Sequence, residues 1–213
     1  MYIPKHFQQH HRKKLKDLLR QYPFATLITY VNEEVEAHHL PMVLTCRAGK
    51  DVLQGHIAKA NSLWQNLPNN STVLLVFNGP NVYISPSAYP SKAVTGKAVP
   101  TWNYVTVHVK GKLTYIDEPA WLLNMMNRLT HQHEVQQAEP WSMNDAPKEY
   151  ITGMLQAVVG IEITVESLIG KWKISQNQSE ENQQGLLTAL AKSHDSYAPA
   201  MIELIQDNLN ESG

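Results

Sequence analysis

The sequence predicts an α+β protein: an antiparallel β-barrel with helices packed at its ends and edges. Three observations carry that expectation. From Phe24 to about Ile116 the chain breaks into short β-rich runs punctuated by glycine and proline. The longest run sets Val105, Val107 and Val109 against Thr106, His108 and Lys110, so one face is apolar and the other polar, as in a barrel or sandwich wall. The longer stretches with apolar residues at helical spacing stand before and after this block.

Taken in order, Leu15, Leu18 and Leu19 give an amphipathic helix within His10–Gln21, and Pro23 stops it. Its His10-His11-Arg12-Lys13-Lys14 cluster can seek phosphate, but a solvated helix face is the simpler reading. Strands are expected over Ala25–Val31, Glu36–Leu44, Val52–Ile57, Thr72–Phe77, Val82–Ser85 and Thr101–Ile116. Gly49, Gly55, Gly79-Pro80 and Gly111 mark the places where the chain turns, bulges or leaves a strand. Helices are expected over Pro119 to about His133 and over Pro147–Gln156, then a strand over Val158–Val165 and a polar turn over Lys171–Asn177. Glu180–Lys192 and Pro199–Asn210 close the chain as helices, the second with Met201, Leu204, Ile205 and Leu209 on one side.

Composition narrows the function classes. The 213 residues fit one compact domain or a small pair. A chain of that length buries about 70% of its unfolded surface and needs no staple. Cys46 is the single cysteine, which excludes a disulfide framework and a CxxC zinc pair. Lys and Arg number 18 against 19 Asp and Glu, so no strong nucleic-acid footprint is expected. Met1–His6 lacks the basic-then-apolar pattern of a secretion signal, and no run of 18 apolar residues occurs later. A soluble cytoplasmic protein without membrane contact is therefore expected.

There is no GxGxxG after a strand, no GxxxxGK[ST], no HExxH and no GxSxG. Adjacent His38 and His39 point to opposite faces of a strand, and His131 and His133 diverge near a helix end, so neither pair suggests a metal. Cys46 has no assignable base, and an incidental thiol is the simpler reading. Three clusters are more informative. In Gly55-His56-Ile57-Ala58-Lys59-Ala60-Asn61-Ser62-Leu63-Trp64 a strand runs towards a helix, where backbone N–H groups, the Lys59 cation and the Asn61 amide suit a phosphate. The alternative is that Asn61 simply caps the helix and Lys59 lies in water. Trp102 and Tyr104 share a strand face and can flank a planar ligand or pack under a helix. Gly170-Lys171-Trp172-Lys173-Ile174-Ser175-Gln176-Asn177-Gln178 gathers cations, an indole and amides for an anion, a subunit contact or a solvated turn.

These clusters occur in order with Met1-Tyr2-Ile3-Pro4, His39-Leu40-Pro41 and Asn81-Val82-Tyr83-Ile84-Ser85-Pro86-Ser87, and together they resemble the PaiB family of FMN-binding negative transcriptional regulators. The resemblance runs from the first residues to at least Gly185. It departs at Ser62, Ala88 and Gln178, where the family usually has proline, tryptophan and arginine. It implies an FMN-binding split β-barrel with peripheral helices, one domain over 1–213 with a helical extension from about 180, forming a homodimer with two FMN sites at the subunit interface. On the same resemblance His56, Ile57, Ala58, Lys59 and Asn61 surround the phosphate and ribityl end, and His39, Leu40 and Pro41 lie against the isoalloxazine edge. Trp102 and the Lys171–Asn177 loop, with Lys173 and Gln176, complete the pocket, with the partner subunit as one source of these groups.

Two functions lead, ahead of a flavin or haem storage or sensing module with neither activity. One is an FMN-binding regulator, for which direct DNA binding is inherited from the resemblance alone: the segment joining Leu186–Lys192 to Pro199–Leu209 exceeds a helix-turn-helix turn. The other is a flavin-dependent oxidoreductase with a nicotinamide donor, in which the cofactor carries the chemistry and no catalytic triad is needed.

Overall fold

A computed structural model describes residues 1–212. Its elements in chain order are β1 (Gln8–Gln9), α1 (Arg12–Gln21), β2 (Phe24–Val31), β3 (Glu34–Pro41), β4 (Val43–Arg47), β5 (Lys50–Ala58) and α2 (Leu63–Asn66). Next come β6 (Thr72–Ile84), α3 (Ser91–Thr95), β7 (Thr101–Ile116), α4 (Pro119–Glu134), α5 (Lys148–Gln156), β8 (Val158–Lys173), α6 (Glu180–Leu190) and α7 (Ala198–Ser212). The strands form one sheet in the order β3-β2-β6-β7-β8-β5-β4, with β1 added on β8. This is an antiparallel split β-barrel with peripheral helices, as the sequence predicted. The chain divides into two compact units, one of Met1–Leu15, Asn78–Val107 and the residues from Ile169 on, the other of Lys16–Phe77 and His108–Leu168. β6, β7 and β8 each pass from one unit into the other.

In the Lys16–Phe77 and His108–Leu168 unit, two hairpins set the register. β2 pairs with β3 from Phe24↔Pro41 to Val31↔Glu34. Only Asn32 and Glu33 lie between, both at positive φ, +50° and +67°. A two-residue loop with both residues left-handed matches the right-handed twist of the strands. β4 and β5 repeat the device through Ala48 and Gly49. Leu27, Leu75, Phe77, Val109, Leu113, Ile161 and Ile163 are fully buried and form the core. Outside the sheet, Leu122, Met125 and Leu129 of α4 pack against Val43. A polar chain lies on the α4 side of β5 and β8, opposite to Ile161 and Ile163: Glu162 accepts from Gln54 Nε2 at 2.7 Å and meets Arg47 at 2.5 Å, while Gln54 Oε1 accepts from Arg128 at 2.7 Å.

In the other unit, β1 pairs with the end of β8 through Gln8↔Lys171 and Gln9↔Gly170. α6 and α7 pack together, burying Leu186, Leu190, Met201 and Ile205. Gly185 lets α6 approach Pro90 closely, since a Cβ there would collide with the proline ring.

Three expected boundaries are corrected. Glu36–Leu44 is two strands, because the Met42 N–H leaves the ladder for Pro23 O at 2.9 Å and its side chain packs on Gly55. Gly79-Pro80 does not end a strand. β6 runs through it, and burial shifts phase from Val73, Leu75 and Phe77 to Pro80, Val82 and Ile84, as at a bulge. Lys171-Trp172-Lys173 is strand rather than turn: Trp172 is buried between two half-buried lysines, the alternation of a strand with one face inward.

Candidate functional site

The expected phosphate residues lie where β5 ends. β5 pairs with β8 from Val52↔Thr164 to Ala58↔Val158, which sets His56 opposite Gly160. Gly160 has no room for a Cβ because the Trp121 ring fills that space. Gly55 is equally constrained, with Met42 Sδ and Pro41 O at 2.8 and 3.0 Å from a built Cβ. That close approach sets Pro41, the last residue of β3, against Gly55, the neighbour of His56. His39 is exposed, stacks with Phe24 at 6.4 Å and shares a hydrogen bond with Thr26 at 3.2 Å.

After Ala58 the chain makes a tight turn. Lys59 N–H donates to Ala157 O at 2.8 Å, Asn61 N–H to Ala58 O at 3.0 Å, and Trp64 Nε1 to Lys59 O at 2.8 Å. Asn61 Oδ1 accepts from Leu63 N–H at 2.9 Å, an Asx turn leading into α2, whose N-cap is Ser62 with no side-chain bond. That helix is only four residues long, and Ser62 O takes the N–H groups of Gln65 and Asn66. The expected helix N-terminus is therefore one short turn whose donors are mostly used internally. Tyr115, its phenol pushed up to about 12 by burial, donates to Leu63 O at 3.1 Å and ties this turn to β7.

What the turn offers a ligand is side-chain chemistry. The Lys59 ammonium is about one third exposed and pairs with Asp117 at 2.8 Å. Burial lowers the His56 pKa, favouring the neutral imidazole, and its Nδ1 is buried without a hydrogen-bond partner among the described residues. A cation, a side-chain amide and an unmet ring nitrogen within six residues fit the phosphate and hydroxyls of a flavin mononucleotide. Asp117 was not visible in the sequence as part of this site; it lies between β7 and a proline-started helix, and only folding brings it to Lys59.

Trp102, Lys173 and Gln176 belong to the other unit. Trp102 is exposed and meets Tyr83 edge-on at 5.9 Å. Tyr104, on the same strand face, has Lys171 over its ring at 5.1 Å. Lys173 donates to Thr101 Oγ1 and, at 2.9 Å, to Trp102 O; burial lowers its pKa. Gln176 is spent on its own turn, donating to Trp172 O at 2.6 Å and accepting from Ile174 N–H at 2.9 Å. No group of three His, Cys, Asp or Glu among the described residues can hold a metal, and no helix among them is long and apolar enough to cross a membrane.

Residues 1–167 match the family model described as "Putative FMN-binding domain". The chain belongs to this FMN-binding family. FMN is the cofactor that membership assigns, in keeping with the chemistry at the end of β5. The chain is 28% identical over 211 residues to protease synthase and sporulation protein PAI 2 of Bacillus subtilis, covering 99% of each, which bears out the PaiB resemblance. It is 32% identical over 210 residues to an uncharacterized protein of Emericella nidulans, covering 82% of this chain and 84% of that one. Among solved structures, an FAD and heme binding protein from Mycobacterium smegmatis shares the fold at TM-score 0.56 and 14% identity, over 78% of this chain and 73% of that one. The flavocytochrome Anf3 from Azotobacter vinelandii does so at TM-score 0.56 and 13% identity, over 86% of this chain and 78% of that one.

Proposed function

We propose that this FMN-binding protein is a negative transcriptional regulator of the PaiB type, a cytoplasmic homodimer built from one flavin-binding domain over residues 1–213 with the part from about 180 as its extension. The observation that carries the regulatory half is end-to-end collinearity with the Bacillus protein, 99% of each chain. Flavin is held at the end of β5: Lys59 meets the phosphate in competition with Asp117, Asn61 and His56 with Ile57 and Ala58 line the phosphate and ribityl end, and His39, Leu40 and Pro41 border the ring system. A second subunit supplies Trp102 and Lys173, with Gln176 acting by holding the turn that presents them. Exposed Tyr30 and Val35, paired across β2 and β3, support a self-association face, since single chains rarely leave neighbouring large apolar groups in water. When bound, FMN supplies redox chemistry, and these residues orient it and exclude water from it.

A basic edge favours contact with DNA. β1 sets Gln8 beside Lys171, so His10 to Lys14 begin next to that lysine, although Lys14 itself pairs with Glu211 at 2.5 Å. A gel-shift titration with promoter fragments over a range of salt tests direct binding: a salt-sensitive shift is expected. No shift at low salt would leave the flavin site standing and remove the DNA-binding role.

A further inference from the structure

A cavity of about 300 Å³ lies within the unit that contains the ends of β7 and β8 and helices α3, α6 and α7. Its walls are unusual for an interior. Asn103, Ser175 and Asn182 line it and are each more than nine-tenths buried. Buried polar groups are costly unless bonded, so a polar wall has to be assembled with partners. Asn103 Nδ2 donates to Ser175 Oγ at 2.9 Å, and Tyr89 OH shares a hydrogen bond with the same oxygen at 3.3 Å. Ser175 is held at φ +64°, a left-handed conformation that a serine adopts only under such constraint. Asn182 accepts from Ser91 N–H at 3.2 Å and donates to Gln178 at 3.2 Å, which fixes the first turn of α6 on the cavity.

Charge is one-sided. Lys97 and Lys173 line the cavity, and no Asp or Glu among the described residues does. The Lys173 ammonium is anchored on Thr101 and Trp102 O, while that of Lys97 has no partner among the described residues. The first turn of α6 reaches the same wall through Asn182, while its acidic residues Glu180 and Glu181 stay outside the lining. We infer that this cavity binds a small anionic metabolite, a carboxylate or a phosphate monoester, whose charged group lies between Lys97 and Lys173 and whose polar atoms meet Asn103, Asn177 and Asn182. The volume is at the low end of the ~300–1,000 Å³ usual for small-molecule pockets, so the ligand is smaller than a flavin. Lys173 also stands among the residues proposed to contact FMN, whereas Lys97 does not, so Lys97 is the cation that distinguishes this site from the flavin site.

The test is calorimetric titration of the full-length protein, saturated with FMN, with inorganic phosphate and separately with succinate, using neutral succinamide as a control. At least one anion binds and succinamide does not; the stronger of the two identifies the charged group as phosphate or carboxylate. Lys97→Gln, an exposed loop change, weakens that binding at least tenfold and leaves FMN uptake unaltered. Absence of heat with both anions, or equal affinity in Lys97→Gln and wild type, overturns the inference without bearing on the flavin site.

Discussion

Removing Arg47 should cost more stability than neutralising the acid it serves. Glu162 is 1% exposed at the centre of β8, with one carboxylate oxygen 2.5 Å from Arg47 and the other accepting from Gln54, whereas the Arg47 side chain is 64% exposed. Arg47→Ala strands a buried carboxylate with one neutral donor; breaking a buried pair costs ~3–5 kcal/mol, and the water already at Arg47 places this case near ~3. Glu162→Gln removes the charge, keeps an oxygen for Gln54 and lets Arg47 rehydrate, so its cost is about 1 kcal/mol, that of a weakened hydrogen bond. The double variant is then more stable than Arg47→Ala alone. For a chain of this size each kcal/mol moves Tm by about 2–4 °C, so Arg47→Ala melts roughly 6–12 °C lower. Urea unfolding followed by circular dichroism measures all three. Arg47→Ala within about 0.5 kcal/mol of wild type, or a double variant less stable than Arg47→Ala, refutes the reasoning.

Other perturbations rest on the same geometry. Lys59→Ala should weaken FMN binding about 10- to 100-fold, the worth of a charge-assisted hydrogen bond, and Asp117→Asn should tighten it by freeing the ammonium; quenching of flavin fluorescence reads both. Burial lowers the His56 and His108 pKa values, so the unfolded chain takes up their protons first as pH falls. Stability is therefore complete above about pH 6.5 and declines below it, and His56→Gln should flatten part of that slope in melts at pH 7.5 and 5.5. Glu33 sits at φ +67° in a hairpin turn, and Glu33→Gly should stabilise by up to about 1 kcal/mol in urea titrations.

The barrel was legible because alternation along β7 is a local signal: Val105, Val107 and Val109 are buried as their spacing requires. Gly79-Pro80 misled because those residues punctuate turns and bulges alike, and only the neighbouring strands decide between them. The tight turn after β5 was readable from Lys59 and Asn61, but its weak helix was not, since a helix of four residues has no periodicity to detect. Asp117, Trp121 and Gly160 enter the site through contacts between residues far apart in sequence, Lys59 with Asp117 and Trp121 with Gly160, which no local pattern records. The polar cavity was equally hidden: Ser175 and Asn177 stand in the Lys173–Gln178 stretch, where sequence alone leaves an anion site, a subunit contact and a solvated turn open, and folding adds Asn103 from β7 and Asn182 from α6.

The most direct measurement is the absorbance spectrum of the purified protein, stripped of ligand and titrated with FMN, in wild type and Lys59→Ala. Wild type should take up one FMN per chain with a perturbed flavin band, and Lys59→Ala should do so only at higher concentration. A wild-type protein that takes up no flavin would contradict the account at its centre; uptake equal in the two proteins would remove Lys59 from the phosphate and leave FMN binding intact.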